Sequence, residues 1–428
     1  MGGALVVSTV SATAGAAREV PHPVLGLVPH SAHATRIAPA RRTSRAEGFN
    51  CVVSCSAYEA TINQYFTDVA AASGSTDNVY SVATQYSNIQ YDETFAGSYV
   101  DGHPFPMTGG CQDGFDKYCV TDQQLQMEIG RMIAAHNLPT FSQTTLYFIF
   151  TPAHVGVCFL AGHASKANGC TTNEFCAYHS DATSFLYAAE PDASAVEGEL
   201  CGSGEAPAGN GADDTINTIS HEQNEAITDP INSGWKANDG PNQAPKDEMA
   251  DLCAYDFGGT PLGGAAGAEY NQVINGHDYY LQLEYSNEDG GCVPYLGGPV
   301  TAPSDPHDGS GPLVYGSGEV MTTNTVYAIY WVPAPPVNNQ LPTISGAAKV
   351  GKKLTASHGK WSNLPKYTYR WLRCSSAGTS CKGISKATGS SYTLVKADAR
   401  HEIAVQVTAT NMAGSARATS APTGTVKS

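Results

Sequence analysis

Apolar residues recur along the first two thirds of the chain at two spacings. Over residues 56–72 the set Tyr58, Ile62, Tyr65, Phe66 and Val69 returns every three or four positions, the spacing of one helix face. Over 122–136 Leu125, Ile129, Met132 and Ile133 do the same. Thr121 and Gln124 are placed there as a capping box, and His136 as a cation favoured by the helix dipole. A third helix is predicted over 215–227. Ile216, Ile219, Gln223, Ala226 and Ile227 fall on one side, and Thr218, His221 and Glu225 on the other. Such a helix anchors itself by the apolar stripe and aims the polar side away from the core. Asp213 or Asp214 can N-cap it, and Pro230, preceded by Asp229, stops it. Runs rich in apolar and aromatic residues at 144–150, 279–285 and 325–332 predict strands. Interleaved helices and strands imply an α/β or α+β layered domain, and the Gly-, Asn-, Asp- and Ser-rich remainder implies long loops around any cleft. After the prolines at 333–336 the pattern changes to short alternating strands at 354–356, 367–372 and 403–409, with 411–416 turning the last hairpin.

Charge divides the chain at the same place. Residues 49–335 hold 5 Lys or Arg against 35 Asp or Glu, residues 336–428 hold 13 against 2, and residues 1–48 hold 5 against 2. Two folding units follow, 49–335 and 336–428, behind a signal-like and flexible leader at 1–48. The acidic unit repels nucleic acid and anionic membranes, and no stretch has the length of a membrane-spanning helix. The basic unit suits an anionic cell-wall polymer or docking on the acidic unit. Twelve cysteines, an even number in loop-rich settings, point to disulfides in an oxidising, extracellular compartment, secreted or cell-wall associated. Cys374 and Cys381 should close a short loop. Cys158, Cys170, Cys176 and His179 offer a zinc-knuckle alternative, but their spacing is irregular and favours disulfides. No glycine-rich phosphate loop with its lysine and no G-x-S-x-G elbow occurs, which removes those reaction classes.

The chemistry concentrates in Ser220-His221-Glu222-Gln223-Asn224-Glu225-Ala226-Ile227-Thr228-Asp229-Pro230. His221 and Glu225, at i and i+4, share a helix face and can hold a divalent metal. Glu222, offset by about 100° of arc, can hold a water on that metal. In H-E-x-x-H zinc peptidases the glutamate is the general base. Here the second histidine is Glu225, which zinc accepts as a ligand although the added negative charge weakens the acidity of a bound water. A third ligand must come from elsewhere, and Glu248 in Asp247-Glu248-Met249-Ala250-Asp251 is the best local candidate. The arrangement resembles that of gluzincins, with Asp251 orienting His221. Asp251, Asp229 and His179 are the alternative or orienting groups. Zinc is the expected metal, and the acidic surplus also suits calcium. The bland readings are a solvated outer helix face and an acidic surface that keeps a secreted protein soluble.

The blocks 62–70, 78–86, 147–152 and 175–180, the His221 motif, and Tyr270-Asn271-Gln272 to Tyr285-Ser286-Asn287 occur in one order. Over about residues 56–295 that order resembles secreted bacterial relatives of the phosphate-induced, EXORDIUM-like family of plants. The resemblance implies an extracellular protein with a zincin-like H-E-x-x-E helix and an E-x-x-D-x-C element, and it flags His179 as a cleft residue. The segment 318–333 departs from that pattern: the glycine-rich turn and apolar strand expected before the first helix stand after the domain. Either the strand has moved to the end of the unit or it begins a truncated second copy. The final ninety or so residues resemble bacterial immunoglobulin-like repeats, with Trp361 and Trp371 as core anchors. The expectation is therefore a zincin-like mixed-sheet domain followed by an all-β immunoglobulin-like sandwich. Its function would be zinc-dependent, metallopeptidase-like hydrolysis of a peptide or cell-wall-associated substrate, with Glu222 as base and His221, Glu225 and Glu248 on the metal. The rival is a non-catalytic cell-surface or signalling protein with a structural or vestigial metal site. An open cleft favours the first and a buried site the second.

Overall fold

The computed structural model describes residues 55–428 apart from 107–109, 113–115, 117, 141, 164–168, 172–173, 197–200, 238–246, 304–311, 364 and 412–413. The leader expected at 1–48 lies outside the described residues.

The principal sheet is built from β1 (Glu93–Asp101), β2 (Thr145–Thr151), β3 (Tyr178–Ala182), β4 (Phe185–Pro191) and β7 (Asn324–Trp331), in the order β1-β7-β2-β4-β3. The first four strands in that order run parallel, and β3 is an antiparallel edge. Every residue of β2 and β4 is buried, because the sheet is covered on both faces. Alternation sorts the side chains. Leu146, Phe148, Phe150, Ala188, Val326 and Ala328 join the core of α1 (Cys55–Ala71) and α3 (Ala212–Thr228), which includes Ile62, Phe66, Ile216 and Ile219. Tyr147, Ile149, Tyr187, Ile329 and Trp331 join that of α2 (Asp122–His136), with Leu125, Ile129 and Met132. The expected capping box is formed: Thr121 and Gln124 exchange side-chain and backbone bonds, and Asn137 closes the helix in the left-handed region at φ 52°.

The apolar segment at the end of the acidic unit completes this sheet. β7 lies between β1 and β2, with Tyr99 opposite Ile329 and Ile329 opposite Ile149. It therefore fills a central position and is not the start of a second copy.

The strand expected over 279–285 is instead two short strands, at His277–Tyr279 and Glu284–Ser286. Between them the Asn271 side chain takes the backbone role, accepting from Leu281 N–H at 2.9 Å and donating to Leu281 C=O at 2.7 Å. Two further strands, β5 (Trp235–Ala237) and β6 (Leu313–Tyr315), pair antiparallel below the sheet.

The strands of the last ninety residues pair antiparallel, with one isolated parallel bridge between Lys349 and Lys427. β8 (Ile344–Ser345), β9 (Lys353–Ala356) and β12 (Ser391–Thr393) form one sheet, and β11 (Cys381–Gly383), β10 (Lys366–Cys374), β13 (Glu402–Asn411) and β14 (Gly414–Thr419) another. They enclose their own core, with Leu354, Trp371, Leu394 and Val405. Trp371 is fully buried, whereas Trp361 is only half-buried and donates its indole N–H to His358 C=O at 2.7 Å. The chain thus combines a mixed α/β sheet with C-terminal antiparallel sheets.

Among the described residues five disulfides join Cys111–Cys119, Cys158–Cys170, Cys176–Cys201, Cys253–Cys292 and Cys374–Cys381. The short C-terminal loop closes as expected, and the zinc-knuckle alternative is excluded because Cys158, Cys170 and Cys176 are all bridged. Such a set suits an oxidising compartment. No helix of the described residues is long and apolar enough to cross a membrane.

Candidate metal centre

α3 begins one turn earlier than its sequence pattern suggests. Gly211 is its N-cap, and neither Asp213 nor Asp214 takes that role. Asp213 accepts the backbone N–H groups of Ala208 and Asn210, and Asp214 that of Ser203, so both fasten the preceding loop to the first turn, where negative charge is favoured. Asp229 is the C-cap, with Pro230 after it. The helix does not turn a polar face to solvent. Every residue from Ala212 to Thr228 is buried, because the apolar stripe joins the core shared with α1 and the polar side is covered by β3, β4 and the 248–251 and 281–284 segments.

Two donor sets meet on that covered side. His221 Nε2 lies 3.0 Å from Glu225 Oε1 and 3.5 Å from Asp251 Oδ1, and these three groups converge within 4.8 Å. His179, Glu222 and Glu225 form a second set on the same criterion. His179 reaches it from the edge strand: Tyr178 faces the α2 side of the sheet, so its neighbour faces α3. His179 Nδ1 is 3.3 Å from Glu222 Oε2 and 3.7 Å from Glu225 Oε2. Glu248 is brought to His179, Nε2 to Oε2 3.7 Å, and falls outside the His221 set, where Asp251 stands instead. Asp251 also tightens the arrangement through the backbone, donating its N–H to Glu225 Oε1 at 3.1 Å and accepting that of Glu248 at 3.2 Å. Asp229 turns Oδ1 to the N–H groups of Ser233 and Gly234 and Oδ2 to Lys236 Nζ at 3.3 Å.

Three participants escape a reading of the sequence. Glu190 on β4 accepts from Thr218 Oγ1 at 2.7 Å, Glu284 accepts from Asn224 Nδ2 at 3.2 Å, and Lys236 on β5 stands between Asp229 and Glu248, 3.6 Å from the latter. The available signals were a lone carboxylate in each of two apolar strands and one lysine in a lysine-poor unit. None states which partner it meets.

The centre is closed. His221, Glu222, Glu225 and Glu248 are 0% exposed and His179 2%, so among the described residues the motif is buried rather than open to solvent. Burial, with Asp251 beside it, pushes the Glu225 carboxyl up, and burial also raises Glu190, Glu248 and Glu284 well above the ordinary carboxylate range. Burial disfavours charge on both imidazoles, but the facing carboxylates outweigh it. Glu225 foremost raises His221 far above the usual histidine value, and Glu222 raises His179. Protons therefore crowd a site with more carboxylates than cationic groups. Several of its atoms still lack a hydrogen bond: Glu225 Oε2, both oxygens of Glu248, Oε1 of Glu190, Oε2 of Glu284 and both nitrogens of His221. His221 Nε2 is near carboxylates without hydrogen-bond alignment. Buried orphan donors and acceptors of this kind cost free energy unless a cation or proton serves them. The residues fit a divalent metal.

No family model and no curated protein matches the chain.

Proposed function

We propose that this chain is a secreted metal-binding protein whose H-E-x-x-E helix holds zinc in a closed centre, tying α3 to the segment around Asp251. The observation that carries the reading is the convergence of His221, Glu225 and Asp251, fully or nearly buried, with ligand atoms left unsatisfied by the protein. Mixed nitrogen and carboxylate donors suit zinc better than calcium, which prefers oxygen throughout. Tetrahedral zinc at about 2.0–2.2 Å from its ligands places donors roughly 3.3–3.6 Å apart. The 3.0 and 3.5 Å separations around His221 are close to that. In this reading Asp251 replaces Glu248 as third ligand, and Glu248 and Asp229 hold Lys236. A helix bearing H-E-x-x-E beneath a mixed sheet, bordered by an antiparallel edge strand, supports a zincin-like first unit. The two antiparallel sheets around Trp371 support an immunoglobulin-like second unit, whose basic surface suits an anionic cell-wall polymer. Five disulfides support secretion.

A second reading, zinc-dependent hydrolysis of a peptide, is favoured by one contact. Glu222 lies beside both Glu225 and His179, where it could accept a proton from water while His179 holds its carboxylate in place. Zinc, when bound, would supply Lewis acidity to the scissile carbonyl. A substrate reaches this centre only if a covering segment moves.

The test is removal of the metal. A ligand held at a hundred times its dissociation constant stabilises by about 2.7 kcal/mol, worth roughly 4–5 °C in a unit of this size. Stripping the purified chain with a chelator should lower its melting temperature by that amount, and zinc, but not calcium, should restore it. An unchanged melt sinks the reading. Turnover of peptide that vanishes in Glu222→Gln while metal content persists would instead select the hydrolase.

A further inference from the structure

The two donor sets share one residue, and they take different oxygens from it. Glu225 presents Oε1 to His221, 3.0 Å away, and Oε2 to His179, 3.7 Å away. A carboxylate in this position can bridge two metals, which in two-metal sites stand about 3.5–4 Å apart.

The geometry points to a second cation position beside the first, held by His179 Nδ1, Glu222 and Glu225 Oε2, so that the centre carries a zinc pair bridged by Glu225. This rests on the metal-binding reading above and extends it.

The hydrogen-bonding of His179 carries the argument. Its Nε2 faces the carbonyl oxygen of Asp229 at 3.2 Å, an atom that can only accept, so Nε2 bears the hydrogen. In the neutral ring Nδ1 is then a bare lone pair directed at two carboxylates, 3.3 and 3.7 Å away. Lone pair against carboxylate is repulsive unless a cation lies between them. A hydrogen-bonded distal nitrogen is also the arrangement that fixes a metal-ligating imidazole. The competitors are protons: one on Nδ1, which would make His179 an imidazolium paired with Glu222, or one on a facing carboxyl that donates to Nδ1.

Two further observations favour metal. Glu225 Oε2 is buried and has no hydrogen bond, so a protonated His179 leaves it unserved. Charge counts the same way. Glu190, Glu222, Glu225, Asp229, Glu248, Asp251 and Glu284 surround the two histidines, with Lys236 the one lysine among them, and Lys236 is already taken by Asp229 and Glu248. The cluster therefore offers more acidic oxygen than Lys236 can serve, and protons or metal must supply the balance.

The experiment is a metal count on the full chain loaded with zinc(II) and freed of excess. Two zincs per chain are expected, falling to one in His179→Ala. One zinc per chain in the unaltered protein, or two retained in His179→Ala, overturns the second position while leaving the first intact. No zinc in either protein overturns the metal-binding reading itself. Should His179→Ala not fold, the unaltered chain loaded with manganese(II) decides: a magnetically coupled pair gives a broadened, temperature-dependent resonance, whereas the six-line spectrum of isolated ions overturns the bridge. Glu222→Gln separates this centre from the hydrolase reading, because a ligand role predicts loss of one zinc and a general-base role predicts that metal content is kept.

Discussion

Glu93, at the start of β1, is 5% exposed, and its Oε2 accepts from Gln223 Nε2 at 2.7 Å. Burial pushes its carboxyl up from 4.5 to about 8, against the lowering effect of Gln223. The sign follows from proton uptake. Between those values the unfolded chain is ionised while the folded chain keeps its proton, so the folded state binds more protons and loses stability as pH rises. The contribution is fully present below about pH 4.5 and gone above about pH 8, a span worth roughly 3–5 kcal/mol at about 1.4 kcal/mol per pH unit. Glu93→Gln removes the titration and should flatten this loss. Thermal melts of both proteins at pH 5 and pH 8 check it: the variant should gain on the parent by several degrees on going to pH 8, and a constant difference would show that Glu93 titrates normally. At this scale the sequence reveals only part of the centre. His221 and Glu225 are legible because helix periodicity fixes their relation locally, and the acidic motif at 247–251 is legible as a partner, although Glu248 rather than Asp251 is the ligand its sequence suggests. Glu190, Glu284 and Lys236 are not, since each meets its partner only through strand packing set by residues far away in the chain.

Elements were most legible where a single local cause decides them. The capping box at Thr121 and Gln124 fixes the start of α2, and the apolar run of β7 demands strand partners on both sides. They were least legible where side chains substitute for backbone, as Asn271 does beside Leu281, or where polar residues are buried by other polar residues, as on α3. An amphipathic pattern assumes that its polar side meets water, and here that side meets the centre. β7 gives the sharpest prediction. Ile329 is 0% exposed in the core shared with α2, so Ile329→Ala should cost about 2–5 kcal/mol. Removing 318–335 outright separates β1 from β2 and leaves two long unpaired edges. Circular dichroism and gel filtration should then find no cooperative melt and extensive association. A monomeric, equally stable truncated chain would contradict the central position of β7.

At the scale of the whole molecule, charge and hydrophobic cores divide the chain in the same way. Residues 336–428 carry 13 Lys or Arg against 2 Asp or Glu, and their core around Trp371 and Val405 contains no side chain from the principal sheet. Arg373 pairs with the buried Asp398, which also accepts from Tyr392 and the Val395 backbone, so the one buried acid of this unit is fully served within it. The Cys374–Cys381 disulfide is likewise internal. Among the described residues of this unit no group of His, Cys, Asp and Glu is placed to hold a metal, whereas in the acidic unit α3 packs against the cluster proposed to hold one. Calorimetry of the full chain should therefore resolve two transitions, and only one of them should respond to zinc. The responsive transition belongs to the acidic unit and should rise by roughly 4–5 °C with metal. The other should coincide with the melt of residues 336–428 expressed alone, with and without zinc. A single transition that moves as a whole would mean that the two units unfold together, and an isolated C-terminal unit without a cooperative melt would mean that its core is not sufficient by itself.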